Sequence, residues 1–94
     1  LLDIVFGEGG ALRIVAGDFN AEPDSAEMAR LRTVLRDAYA ETHGGMHVGT
    51  FLHADPMPCI DYIYCTPDIR AVSAATIGAD ASDHAPVTAD LEWN

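Results

Sequence analysis

Three short segments concentrate the side chains able to do acid–base, phosphate or metal chemistry. In the first, Gly17-Asp18-Phe19-Asn20, two polar side chains stand two residues apart at the end of an apolar run. Extended backbone turns residues i and i+2 to one side. A carboxylate and a carboxamide placed so can hold a hydrated cation and a phosphate oxygen, since one accepts and the other donates. The same pair can also close a turn by bonding its own backbone. In the second, Ile60-Asp61-Tyr62-Ile63-Tyr64, a lone carboxylate interrupts a strand that is largely apolar on both faces. Burying it ionised and unpaired is costly, so Asp61 calls for a partner, for which histidine is the natural candidate. The alternative is an edge strand with Asp61 in solvent. In the third, Ser82-Asp83-His84 occupies a loop before a strand that starts at Pro86. Loops at strand ends are where reactive side chains are displayed. Held by Asp61, His84 would have its tautomer fixed and its cationic form favoured, while Asp83 would serve as a metal or water ligand.

Other chemistries fit poorly. No nucleophile elbow supports a serine hydrolase. Asp18, Asn20 and Glu22 match the first ligands of a calcium loop, but Pro23 stands where glycine is needed and Ala29 where the bidentate glutamate belongs. His43 and His47 are four apart, yet the two glycines between them argue against a helical metal pair. His53 reads as a surface residue near the lip of the cleft. Cys59 and Cys65, read on one strand, would be separated by about 20 Å at ~3.3 Å per residue, beyond disulfide reach. They are expected as free, packed thiols.

The elements that must position these groups follow from hydrophobic pattern and turn residues. The run at 1–6 ends in a turn at Gly7, Gly9 and Gly10, and residues 11–16 read as a buried strand closed by Gly17. Pro23 and Asp24 open a helix, with Glu27 completing an aspartate version of the capping box. Met28, Leu31, Leu35 and Ala38 form its apolar stripe, and Gly44 and Gly45 stop it. Residues 47–52, 59–65, 69–77 and 86–91 read as four further strands. One helix among about five strands, apolar on both faces, implies an α+β arrangement of layers in which further material covers a sheet face.

At 94 residues the chain holds one domain at most. Its 49% apolar and 21% charged residues argue against disorder, and its short apolar runs give no membrane span. The chain opens on Leu1 without a basic-then-apolar leader, so localisation stays open. Fifteen acidic residues against five basic ones set a net charge of −10, which disfavours passive binding of a polyanion and requires a bridging cation for any phosphate chemistry.

Taken in order, Gly-Asp-Phe-Asn, Ile-Asp-Tyr-Ile and Ser-Asp-His-Ala-Pro-Val resemble the C-terminal motifs of the endonuclease/exonuclease/phosphatase family, whose fold is deoxyribonuclease-I-like. The resemblance runs from about residue 11 to 91 and includes the Thr50-Phe51 pair. It implies part of a four-layer α/β sandwich, a mixed sheet with a packed helix, with residues 1–94 supplying the C-terminal part of a single domain. It also implies a phosphoester hydrolase using Mg²⁺ or Mn²⁺, with a nuclease, phosphodiesterase or phosphatase substrate. In that reading Asp18 orients the metal and the attacking water, Asn20 contacts the scissile phosphate, and Asp61 pairs with His84. His84 binds the phosphate, and Asp83 sits beside the metal. The pattern's upstream Asn, metal-binding Glu and second His find no match here, so the missing N-terminal part is an expected partner and the chain alone is expected to be nearly inactive. The alternative is a non-catalytic binding module that retains the fold. Such a module would be expected to have lost one of Asp18, Asn20, Asp61, Asp83 or His84, and all five are present.

Overall fold

The computed structural model describes residues 2–6, 12–52, 54, 56–77 and 83–93. The glycine turn after residue 6, together with His53 and Ser82, lies outside the described residues. The described residues form an α+β fold of two sheets and two short helices. β1 (Leu2–Phe6) pairs with β2 (Leu12–Asp18), which pairs with β4 (Asp61–Cys65), and the two-residue β3 (Arg36–Asp37) adds to the far side of β4. β5 (Ile69–Thr76) and β6 (Val87–Trp93) form a separate hairpin sheet. Every described strand pair is antiparallel, so neither sheet is mixed in direction.

The helix expected from Pro23 to Gly44 is divided. α1 (Ala26–Leu31) is capped by Ser25, not Asp24: the Ser25 hydroxyl accepts from the Met28 amide. Thr33 and Val34 then bond back to Arg30 and Leu31 carbonyls in tighter turns, and Arg36 leaves to pair with Cys65 on β4. Asp37 restarts the helix as the cap of α2 (Ala38–Thr42), its carboxylate accepting from Ala40 N at 3.2 Å. Asp37, though no member of the apolar stripe, is buried, and its other oxygen bonds His47 Nε2 at 2.8 Å. The stripe nevertheless finds the interior: Met28, Leu35 and Ala38 are buried, and Leu31 packs against the core. Gly44 and Gly45 do end α2, with Gly45 N on Ala40 O.

Met28 and Leu35 share that core with Tyr62 and Tyr64 from β4, and Phe19 closes it, its ring perpendicular to Tyr62 at 5.5 Å. Residues 47–52 are not the strand their pattern suggests. They form an irregular segment held on one side by Thr50 and Phe51 amides on Pro58 O, and on the other by Ala85 N on Thr50 O and Leu52 N on Asp83 O. Gly49 is essential to that passage, since a Cβ there would meet Met57 O at 2.4 Å. Cys59 lies just ahead of β4 and Cys65 within it, and both thiols are free. Burial pushes the Cys59 thiol up to about 11, which removes it as a nucleophile near neutral pH.

Candidate active site

Asp18 ends β2 and Asp61 begins β4, and the register makes them direct cross-strand partners. Two carboxylates facing each other across a ladder repel. His84 enters between them from an isolated bridge with Phe51. Its Nδ1 lies 2.7 Å from Asp61 Oδ2, and its Nε2 lies 3.9 Å from Asp18 Oδ2. One carboxylate oxygen from each aspartate and one ring nitrogen all fall within 4.8 Å of one another. The hydrogen bond to Asp61 raises the His84 pKa; partial burial opposes this, and the charges of Asp61, Asp18 and Asp83 add to it. The partner that Asp61 required is thus His84, over a separation of 23 residues.

The Gly17–Asn20 segment forms the self-bonded turn that was one of the two readings of its sequence. Gly17 has φ 130° and Asn20 φ 51°, and the Asn20 amide donates to Asp18 Oδ1 at 2.7 Å. The turn therefore bonds to itself, yet Phe19 goes into the core while Asp18 and Asn20 both line one cleft of about 400 Å³. Glu22, Phe51, Pro58 and His84 complete most of its wall. Tyr62 anchors the turn from below, its hydroxyl lying 2.7 Å from Ala21 O and 2.9 Å from Cys59 O. Phe19 N bonds Ile60 O at 2.9 Å. Asp83 is exposed beside His84, and its carboxylate is not one of the three clustered groups.

Among the described residues, the other histidines take no part. His43 bonds Tyr39 O and stacks on the Tyr39 ring, while His47 pairs with Asp37. The Thr50-Phe51 pair, which the resemblance included without assigning it a role, also serves the site. Thr50 is fully buried and its hydroxyl accepts from both Ile60 N and Asp61 N; the Phe51 ring lies 5.3 Å from that of His84. A hydroxyl inside an otherwise apolar run was the available signal for Thr50.

The donor set suits a hard divalent cation, because carboxylate oxygens prefer such ions. Asp18 Oδ1 is committed to Asn20 and Asp61 Oδ2 to His84, which leaves Asp18 Oδ2 facing the imidazole. The three side chains form a candidate metal-coordinating group.

The sequence model for the Endonuclease/Exonuclease/phosphatase family matches residues 3–84. No curated protein and no solved structure matches the chain.

Proposed function

Because the chain belongs to the endonuclease/exonuclease/phosphatase family, we propose that it carries the phosphate-facing part of a divalent-metal-dependent phosphoester hydrolase. The observation that carries this reading is the convergence of Asp18, Asp61 and His84 at one end of the β2–β4 ladder. His84 donates Nδ1–H to Asp61, which fixes the ring and favours its cationic form. Nε2–H then faces the cleft as a charged donor for a phosphate oxygen, where negative charge grows as water attacks. A cationic imidazole cannot ligate a metal, so within this reading Asp18 would hold the ion, and Asp83, as the resemblance implies, would sit beside the metal. Asn20, on the same cleft wall, offers a carboxamide to the scissile phosphate. Bound there, Mg²⁺ or Mn²⁺ would neutralise phosphate charge and lower the pKa of the attacking water.

On this reading the chain supplies the C-terminal part of one domain, and the upstream Asn, metal-binding Glu and second His that the resemblance implies would come from an N-terminal part. The chain alone is accordingly expected to turn over little or no substrate, since loss of a metal ligand or a general acid/base costs orders of magnitude. The test is His84→Ala in the full-length protein, assayed with Mn²⁺ on a chromogenic phosphodiester and a phosphomonoester. A fall of about 10²–10³-fold in kcat is expected; wild-type turnover by the variant would remove His84 from the mechanism and sink the assignment.

A further inference from the structure

Thr50 does not line the cleft, yet its bonds reach Asp61 itself and Ala85, the residue that follows His84. Its side chain is fully buried, and its Oγ1 accepts from two consecutive amides, Ile60 N at 3.0 Å and Asp61 N at 3.1 Å. Its backbone N–H donates to Pro58 O at 2.9 Å, and its carbonyl accepts from Ala85 N at 2.8 Å, one residue past His84. The adjoining residues extend the clamp: Phe51 bridges His84, and Leu52 N bonds Asp83 O at 2.7 Å. Strand β4 begins at Asp61, so the amides that Thr50 caps lie where the ladder starts.

We infer that Thr50 is a positioning residue that sets the Asp61 carboxylate and the His84 ring in register for phosphate binding. The inference rests on the functional reading above for its catalytic consequence, but its geometric content stands apart from it. Loss of a buried hydroxyl that accepts twice leaves two amides without their acceptor. Removing it frees the first residue of β4 to shift. A displacement of Asp61 by a fraction of an ångström is enough to spoil a 2.7 Å bond. The near-isosteric Thr50→Val keeps the volume and removes the acceptor, whereas Thr50→Ser keeps the acceptor and removes a methyl.

The experiment compares these variants with Leu35→Ala, a core truncation remote from the cleft, in the full-length protein. Three readouts are taken: exchange protection of the Ile60 and Asp61 amides, the His84 tautomer by imidazole ¹⁵N shifts at alkaline pH where the ring is neutral, and steady-state kinetics. In wild type and Thr50→Ser, both amides are expected to be protected and His84 to hold the Nδ1–H tautomer. In Thr50→Val, protection of the two amides should fall roughly tenfold or more and the tautomer should become mixed. Its kcat should drop about 10- to 100-fold with KM little changed. Leu35→Ala should lower stability without altering the tautomer. An Nδ1–H tautomer preserved in folded Thr50→Val overturns the inference. If Thr50→Val does not fold, unprotected Ile60 and Asp61 amides in wild type overturn it, and their protection in both wild type and Thr50→Ser sustains it. Absence of phosphoesterase activity in wild type would defeat the functional reading while leaving the amide and tautomer results to decide the positioning role.

Discussion

Replacing Asp61 with Asn tests the central pair directly, because the side chain keeps its shape and loses its charge. The carboxylate is mostly buried, its side chain 15% exposed, and it sits 2.7 Å from a His84 ring that is about one-third exposed. A hydrogen bond to a charged group contributes about 1.5–3 kcal/mol, and solvent at the imidazole puts this one at the lower end. Against that loss, Asp61→Asn relieves repulsion from Asp18 across the ladder, an effect of at most about 1 kcal/mol. The net expectation is a destabilisation of about 1 kcal/mol, or roughly 4–8 °C in Tm for a domain of this size. The larger change falls on His84: its pKa should move down toward the ordinary value of about 6.5, since the bond to Asp61 is the leading cause of its elevation. At neutral pH the charged donor facing the phosphate is then largely lost, and kcat should fall about 10²–10³-fold. The assay is an NMR titration of the His84 Cε1 proton in metal-free buffer, alongside urea unfolding of both proteins. A His84 titration midpoint unchanged by Asp61→Asn would refute the reasoning, whatever the variant's activity.

Other consequences are open to measurement. A histidine whose folded pKa is raised contributes stability that is complete below the unfolded value and is lost as pH rises through the folded one. Metal-free protein should therefore unfold at lower urea as pH rises above about 6.5, a trend His84→Gln should flatten; a wild-type midpoint that climbs over that range contradicts it. Tyr62→Phe removes the hydroxyl between Ala21 O and Cys59 O and should cost about 1 kcal/mol by chemical denaturation, with a looser turn around Asn20. Equal stability would show that solvent already satisfies those carbonyls. Asp37→Ala removes both the α2 cap and the partner of His47, and should cost about 2–4 kcal/mol, several times the effect of Asp24→Ala, which caps nothing. Similar losses for the two variants would return the cap to Asp24.

The sequence by itself determined which groups are available and roughly where each ends up along the chain. Asp18 at the end of an apolar run, Asp61 at the head of another and His84 on a loop are facts of order and local pattern, as is the buried stripe of Met28, Leu35 and Ala38. Local reasoning also required a partner for Asp61, because an ionised carboxylate in an apolar strand is unfavourable alone. Tertiary structure decided the rest. The helix divides where Asp37 caps α2 by accepting from Ala40 N and binds His47 with its other oxygen, which a 3.6-residue period cannot report. Residues 47–52 fail as a strand because their amides and carbonyls are taken by two different segments, 58 and 83–85, not by a single neighbouring strand. The sequence already offered His84 as the partner of Asp61, and the two do bond, but nothing local told that His47 would bond Asp37: that choice depends on which loops the ladder brings together. The role of Thr50 belongs to this second class, since one hydroxyl acquires it only when folding buries it and brings two amides from another segment against it.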